Sequence, residues 1–156
     1  MCMQVRIDGW RSHIMFSSAH FIPEYEKCGR LHGHTYAIHA VVEGERDEMG
    51  IIIDFSLLKD TLRDIADELD HYMLIPEQAN IELTRQDDSI EAIFRGKRYV
   101  LPAEDCLLLP LHATSAENLA AYVLKRLHEK MDIPPEVTAV SVGIDEGYGQ
   151  GAWTTG

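Results

Sequence analysis

The chain of 156 residues lacks the features of several large protein classes. It has no apolar run near the ~18 residues that span a membrane, and its N-terminus shows no signal-peptide pattern. Its 14 lysines and arginines are outnumbered by 26 aspartates and glutamates, and the net charge of −12 disfavours nonspecific binding to nucleic acid. These absences predict one soluble domain over residues 1–156, located in the cytoplasm, with neither a nucleic-acid nor a membrane partner.

Cysteine is scarce as well. The three cysteines, Cys2, Cys28 and Cys106, are odd in number and scattered along the chain, which suits reduced thiols better than a disulfide framework. An apolar content of 46% with 26% charged residues is ordinary for a globular domain. No internal repeat and no low-complexity segment interrupts it.

Chemistry-bearing residues concentrate in the segment CGRLHGH at 28–34, which follows His20 at a short distance. Side chains on a strand repeat every two residues, so His32 and His34 face the same side. A hairpin can bring His20, at the end of the preceding strand (5–21), beside them. Neutral imidazole is the commonest nitrogen ligand of zinc, and the three histidines predict a Zn²⁺ site. The alternative is a set of ordinary polar residues satisfied by hydrogen bonds.

Cys28 decides which kind of zinc site this would be. It lies in the charged loop 24–30, which Gly29 predicts to bend. As a fourth ligand it would close a structural site, whereas an unligated thiol beside an open metal would be a base or a nucleophile. The spacing of the three histidines favours the open site.

Two amphipathic helices are predicted. The first begins after Asp54 as its N-cap and ends near Asp70, and the second begins with a capping box of Thr114 and Glu117 and is stopped by Pro134. Their expected buried stripes are Leu58, Leu62, Ile65 and Leu69 in the first helix, and Leu119, Val123, Leu127 and Met131 in the second.

The strand pattern predicts an α+β fold. Three segments carry the β-branched, aromatic or alternating residues of strands: 4–16, 35–43 and 137–144. An inserted region of about 76–112 contains a hairpin that turns at Arg95, Gly96 and Lys97. Helices that follow pairs of strands indicate an antiparallel sheet with both helices on one face.

The motifs resemble those of the 6-pyruvoyl-tetrahydropterin synthase and 6-carboxytetrahydropterin synthase family. Outside the inserted region, the matching segments are FSSAH at 16–20, CGRLHGH at 28–34, GIIIDFSLL at 50–58, LDH at 69–71 and TSAENLA at 114–120. The resemblance implies the tunnelling fold, in which the sheets of a trimer close a barrel and two trimers often stack into a hexamer. Barrel closure would remove the exposed edges of a lone sheet.

The resemblance also implies an activity. It is that of a zinc-dependent lyase, 6-carboxy-5,6,7,8-tetrahydropterin synthase, which acts on 7,8-dihydroneopterin triphosphate in the pathway to the 7-deazaguanine tRNA bases queuosine and archaeosine. Arg30 within CGRLHGH favours this activity over the alternative, 6-pyruvoyl-tetrahydropterin synthase. A third possibility is a zinc-stabilised oligomeric binding module without turnover.

Three catalytic residues follow from the resemblance. They are Cys28 from the zinc motif together with Asp70 and His71, drawn from neighbouring subunits. A carboxylate can orient an imidazole and stabilise its protonated form. From the residues alone, however, an Asp-His pair just after a helix is as readily a cap-region pair.

A carboxylate is expected to hold the pterin ring, whose two adjacent donors suit a bidentate acceptor. An ungapped match to the family places Ile144 there, and of the following acids we predict Glu146 rather than Asp145. Ser115 falls where similar enzymes contact the pterin with a threonine. Glu117 also matches a family position, although its capping-box role would explain it.

The remaining cations and histidines have weaker assignments. Lys27, Arg30 and Arg11 are either partners of the triphosphate or ordinary surface cations. Structural or solvent-facing roles are expected for Cys106, His112, His13, His39 and His128.

Overall fold

Two helices cover one face of a seven-stranded sheet in the computed structural model, which describes residues 1–156. The helices are α1 (Phe55–Leu69) and α2 (Ala116–Lys130). The strands are β1 (Met3–Ile7), β2 (Met15–His20), β3 (His32–Gly44), β4 (Met73–Pro76), β5 (Glu82–Arg85), β6 (Ser89–Phe94), β7 (Lys97–Pro102), β8 (Cys106–Leu109), β9 (Val137–Glu146) and β10 (Gly151–Thr155). The main sheet runs β10-β9-β3-β2-β4-β8, and β1 also pairs with β3.

The first helix begins and ends where the sequence predicts. The Asp54 carboxylate accepts hydrogen bonds from the backbone N–H groups of Ser56 and Leu57, at 2.8 and 3.2 Å. The predicted stripe of four leucine and isoleucine side chains is fully buried. It packs in a core of 25 buried residues between the helices and the sheet.

The second helix begins one residue later than predicted. Ser115 is the N-cap, and its hydroxyl accepts a hydrogen bond from the Asn118 N–H at 3.4 Å. The predicted capping box of Thr114 and Glu117 was therefore wrong. Thr114 is fully buried, and both its carbonyl and its hydroxyl turn toward His20 instead.

The long first strand predicted at 4–16 is broken in two. Both pieces, β1 and β2, pair antiparallel with the same edge of β3. Between them the chain leaves the sheet at Asp8 and returns at Ile14, whose carbonyl accepts a hydrogen bond from the Ile38 N–H at 2.9 Å. A side chain at Gly9 would collide with the Ile38 carbonyl, so glycine is required at this close approach.

The α+β class is confirmed, with one correction to the sheet. The pairs formed by β1, β2, β3, β9 and β10 are antiparallel as expected. Strands β4 and β8, which the sequence pattern did not reveal, pair in parallel: β4 with β2 and β8 with β4. The sheet is therefore mixed.

The inserted region forms a second, three-stranded antiparallel sheet in the order β5-β6-β7. Strands β6 and β7 are joined through Arg95 and Gly96, whose φ angles of 52° and 71° are typical of a tight hairpin turn. Phe94 packs on Phe21 with ring centroids 4.6 Å apart. Both belong to a small hydrophobic core that is separate from the main one.

Neither of the two helices has the length and apolar character that a membrane span requires.

Candidate metal centre and adjoining cavity

Three histidines meet where β2 ends and β3 begins. His20 is opposite His32 in the antiparallel register, and His34 follows two residues later on the same face. Their candidate ligand nitrogens all lie within 4.8 Å of one another. The Nε2 atoms of His20 and His32 are 3.1 Å apart, close to the spacing of about 3.3 Å that two nitrogens adopt on one tetrahedral zinc.

The backbone orients two of these rings. His20 Nδ1 lies 2.9 Å from the Thr114 carbonyl, and His32 Nδ1 lies 2.6 Å from the Arg30 carbonyl. A carbonyl can only accept, so each Nδ1 carries the hydrogen and each Nε2 is left with a lone pair. Such outer hydrogen bonds are what fix the tautomer of a metal-binding histidine.

The donor set fits a metal ion. Two Nε2 lone pairs that face each other at 3.1 Å repel unless a positive charge lies between them. Burial lowers the pKa of His20 to about 4, with the neighbouring rings of His32 and His34 contributing and the Thr114 bond opposing. Around neutral pH the His20 ring is therefore neutral, the form that binds metal. These three histidines could hold a metal ion.

Tyr36 packs beside the three histidines and contacts one of them, His20. It lies on the same face of β3, two residues after His34, and its hydroxyl is 3.4 Å from His20 Nδ1. Its ring stacks on Phe16 with centroids 4.6 Å apart, and it is fully buried. Burial raises the pKa of the Tyr36 phenol well above its ordinary value, and the charge of Glu146 adds to this. The phenol therefore stays uncharged beside the ligands.

The centre opens into a cavity of about 1100 Å³. Cys28 lines this cavity with the three histidines, and its thiol is exposed and forms no disulfide. Cys28 is not part of the cluster whose ligand atoms lie within 4.8 Å of one another. The arrangement therefore has three nitrogen donors and a separate thiol that faces the same space.

The two acids at the end of β9 point in opposite directions, because adjacent strand residues face opposite sides of a sheet. Glu146 lines the cavity, with its carboxylate 3.8 Å from His34 Nε2. Asp145 lies on the other face, where it contacts His39 and Trp10. Of the two predicted candidates, only Glu146 can meet a molecule in this cavity.

Ser115 and Glu117 also line the cavity, from the start of α2. Glu117 forms no ion pair and takes no part in capping the helix. The cavity lining therefore offers Glu117 as well as Glu146 as a carboxylate. The capping role that would explain Glu117 without a function is absent, since Ser115 caps the helix.

Asp70 and His71 do contact each other, but not within this cavity. The Asp70 carboxylate lies 2.7 Å from His71 Nδ1, and its other oxygen accepts from the Ser17 N–H at 2.7 Å. His71 returns a backbone hydrogen bond to the Ser17 carbonyl, has a φ of 64°, and is 81% exposed. Its ring lines a neighbouring surface pocket, which His34 also lines. The pair is thus held rigidly and presented outward.

Sequence reasoning missed Thr114 and Tyr36 as partners of the metal ligands. Tyr36 could have been found, since it continues the period-two pattern of His32 and His34. Thr114 could not, because its contact with His20 joins residues 94 positions apart. Nothing in the local sequence marks such a contact.

Comparisons with known proteins point to the same family as the sequence motifs. The sequence profile of the 6-pyruvoyl tetrahydropterin synthase family matches residues 11–156. A Methanocaldococcus jannaschii protein provisionally named 6-carboxy-5,6,7,8-tetrahydropterin synthase is 32% identical over 154 residues, covering 96% of this chain and 94% of its own. The 6-carboxy-5,6,7,8-tetrahydropterin synthase of Rickettsia conorii is 29% identical over 85% of this chain and 89% of its own.

A solved structure shows the same fold. The 6-pyruvoyl tetrahydropterin synthase of Plasmodium vivax superimposes with a TM-score of 0.90 at 27% identity, covering 99% of this chain and 98% of that one. The predicted tunnelling fold is therefore confirmed.

Proposed function

The chain belongs to the 6-pyruvoyl tetrahydropterin synthase family, and from this premise we propose that it is a zinc-dependent 6-carboxy-5,6,7,8-tetrahydropterin synthase. Its substrates would be 7,8-dihydroneopterin triphosphate and one water molecule, and its products 6-carboxy-5,6,7,8-tetrahydropterin, acetaldehyde and triphosphate. The observation that carries the proposal is the open centre: three histidines, two of them with tautomers fixed by the backbone, face a cavity that also holds a free thiol. The names of the archaeal and rickettsial relatives support the choice of product.

The roles of the residues follow from their positions. His20, His32 and His34 would hold zinc, which when bound supplies a Lewis acid that polarises the oxygen atoms of the substrate side chain. Cys28, as its thiolate, would remove a proton from the adjacent carbon. Glu146 would anchor the ring by accepting from its two neighbouring donors, and Ser115 would add a polar contact at the same end of the cavity.

The second proton carrier would come from a neighbouring copy. Asp70 orients His71 through Nδ1, so the other nitrogen, Nε2, is directed away and can give or take a proton. Because the pair faces outward from its own chain, we place it in the site of the adjacent subunit of a homotrimer or homohexamer. Such an assembly would work in the cytoplasm on the route to queuosine or archaeosine.

The activity is tested by incubating the zinc-loaded protein with 7,8-dihydroneopterin triphosphate and measuring acetaldehyde. Release of acetaldehyde together with 6-carboxy-5,6,7,8-tetrahydropterin supports the proposal. A pyruvoyl product without acetaldehyde would instead assign 6-pyruvoyl-tetrahydropterin synthase, the activity of the Plasmodium structure that shares this fold. Zinc binding without any turnover would leave a zinc-stabilised binding module.

Sharing of the site between subunits has its own test. Cys28→Ala and His71→Ala are each expected to be inactive, and refolding the two together should restore about a quarter of wild-type activity. Restoration occurs only if thiol and imidazole come from different chains, since each variant chain carries one lesion. A mixed assembly without activity would place both groups in one subunit.

A further inference from the structure

The lining of the cavity includes two cationic and three carboxylate side chains. Its cationic side chains, Lys27 and Arg30, come from a single turn in which the Arg30 N–H donates to the Lys27 carbonyl at 3.1 Å. On the wall formed by α2 and the end of β9 lie Glu117 and Glu146. Glu24 is the remaining carboxylate of the lining, on the loop that carries the two cations.

The two cations are available for a ligand. Neither Lys27 nor Arg30 forms an ion pair, although the chain has 26 carboxylate residues against 14 lysines and arginines. Arg11, by contrast, lies outside the cavity and is paired with Asp8 at 3.7 Å. The protein therefore keeps an unneutralised pair of cations at the mouth of its metal centre.

The turn is also tied to the centre itself. His32 Nδ1 donates to the Arg30 carbonyl at 2.6 Å, so the backbone that carries Arg30 is in direct contact with a metal ligand. A group bound by Lys27 and Arg30 would therefore lie in the same cavity as the three histidines and Glu146. A cavity of about 1100 Å³ has room for both an aromatic ring and an extended polyanion.

We infer that the Lys27–Arg30 turn binds the phosphate chain of the substrate and thereby selects phosphorylated over unphosphorylated pterins. The inference rests on the proposed function and adds an orientation to it. The donor edge of the ring meets Glu146, the phosphates meet Lys27 and Arg30, and the side chain that reacts lies between them at the histidines. Arg30 can bind two phosphate oxygens at once, while Lys27 acts as a point charge.

The test compares two ligands in three proteins. In the zinc-loaded Lys27→Gln/Arg30→Gln double variant, the KM for 7,8-dihydroneopterin triphosphate should rise at least about tenfold. The inhibition constant of unphosphorylated 7,8-dihydroneopterin should change less than about twofold, because no phosphate contact is lost. Arg11→Gln is the matched control and should leave both constants unchanged.

A salt series adds a measurement that a structural defect would not reproduce. Added KCl should raise the wild-type KM for the triphosphate, and this dependence should be weaker in the double variant. Zinc content and the urea midpoint should equal those of wild type, since both side chains are exposed.

Failure of this inference is distinct from failure of the proposed function. Turnover with an unchanged KM in the double variant, or an equal rise in Arg11→Gln, overturns the inference and leaves the function intact. If the wild type shows no turnover, dissociation constants from pterin fluorescence replace KM in the same comparison. Binding that does not depend on the two cations then overturns the inference, as does the absence of binding.

Discussion

Strand β3 carries two arrangements of histidine and carboxylate on opposite faces. On one face His39 donates from Nε2 to Asp145 at 3.0 Å and accepts the Gly9 N–H on Nδ1 at 3.0 Å, while the Trp10 indole N–H also reaches Asp145, at 2.9 Å. On the other face His32, together with His20 of the neighbouring strand β2, is bonded to a backbone carbonyl through Nδ1, and the Nε2 atoms of the two rings face each other. In the first arrangement both ring nitrogens have partners within the protein, whereas in the second the facing nitrogens could hold a metal ion.

The difference distinguishes a histidine in a structural network from histidines that could bind a metal ion. Burial does not distinguish them, since His20 is 1% and His39 is 9% exposed. What differs is whether every nitrogen has a partner within the protein. His39, predicted from the sequence as structural or solvent-facing, occupies a fully satisfied network with Trp153 stacked on its ring.

The strongest contrast between the faces should appear in metal binding. His32→Ala removes one of three nitrogen donors, and we expect zinc affinity to fall by more than about 100-fold, with turnover lost. The loss is measured as the zinc content of the gel-filtered protein, determined by mass spectrometry. His39→Ala is the matched control and should retain one zinc per chain. Equal zinc loss in both variants would break the comparison.

A Cys28 variant tests whether the thiol on the face with the three histidines is itself a metal ligand. Cys28→Ala should keep its zinc but lower kcat by about 100-fold or more, because the proposed function makes the thiol a base rather than a ligand. The two readouts are zinc content and acetaldehyde release. Loss of zinc in this variant would instead indicate a closed structural site with four ligands.

The closed network should be visible in stability. His39→Ala leaves the Gly9 N–H without its acceptor and Asp145 with the Trp10 indole as its remaining donor, and we expect the free energy of unfolding to fall by about 2–3 kcal/mol. Urea denaturation of the metal-free protein measures this without a contribution from zinc. An unchanged midpoint would mean that the network contributes nothing to folding.

The smallest effect is expected from a ligand's outer partner. Thr114→Val keeps the carbonyl that accepts from His20 Nδ1 and removes only the hydroxyl, which lies 3.2 Å away. We expect zinc affinity to fall by less than about tenfold. Competition with a chelator measures the change, and a loss as large as that of His32→Ala would show that the hydroxyl, rather than the carbonyl, fixes the tautomer.

The metal centre could be predicted because its determinants are local. A period of two places His32 and His34 on one face, and one hairpin adds His20. The helix of residues 55–69 was equally accessible through its N-cap Asp54 and its apolar stripe.

The missed elements depend on contacts between distant residues. Strands β4 and β8 are runs of four residues, MLIP and CLLL, without alternation, and only their mutual pairing makes them strands. Strand β10 follows a turn with Gly147 and Gly149 at positive φ, and its identity depends on pairing with β9. The start of α2 was misplaced because two adjacent residues, Thr114 and Ser115, are both good caps, and the buried contact of Thr114 with His20 selects the second.

The small core beneath the inserted sheet has a consequence for how this enzyme tolerates change. Phe21 belongs to that core and directly follows His20. The backbone segment that carries His20 is therefore packed against the inserted sheet. Lengthening the exposed tip at Arg95–Gly96 leaves this segment untouched. Deletion of the whole insertion would remove the aromatic side chains that pack on Phe21, and His20 would then be held less firmly. The insertion can therefore be lengthened at its exposed tip but cannot be removed without affecting the site.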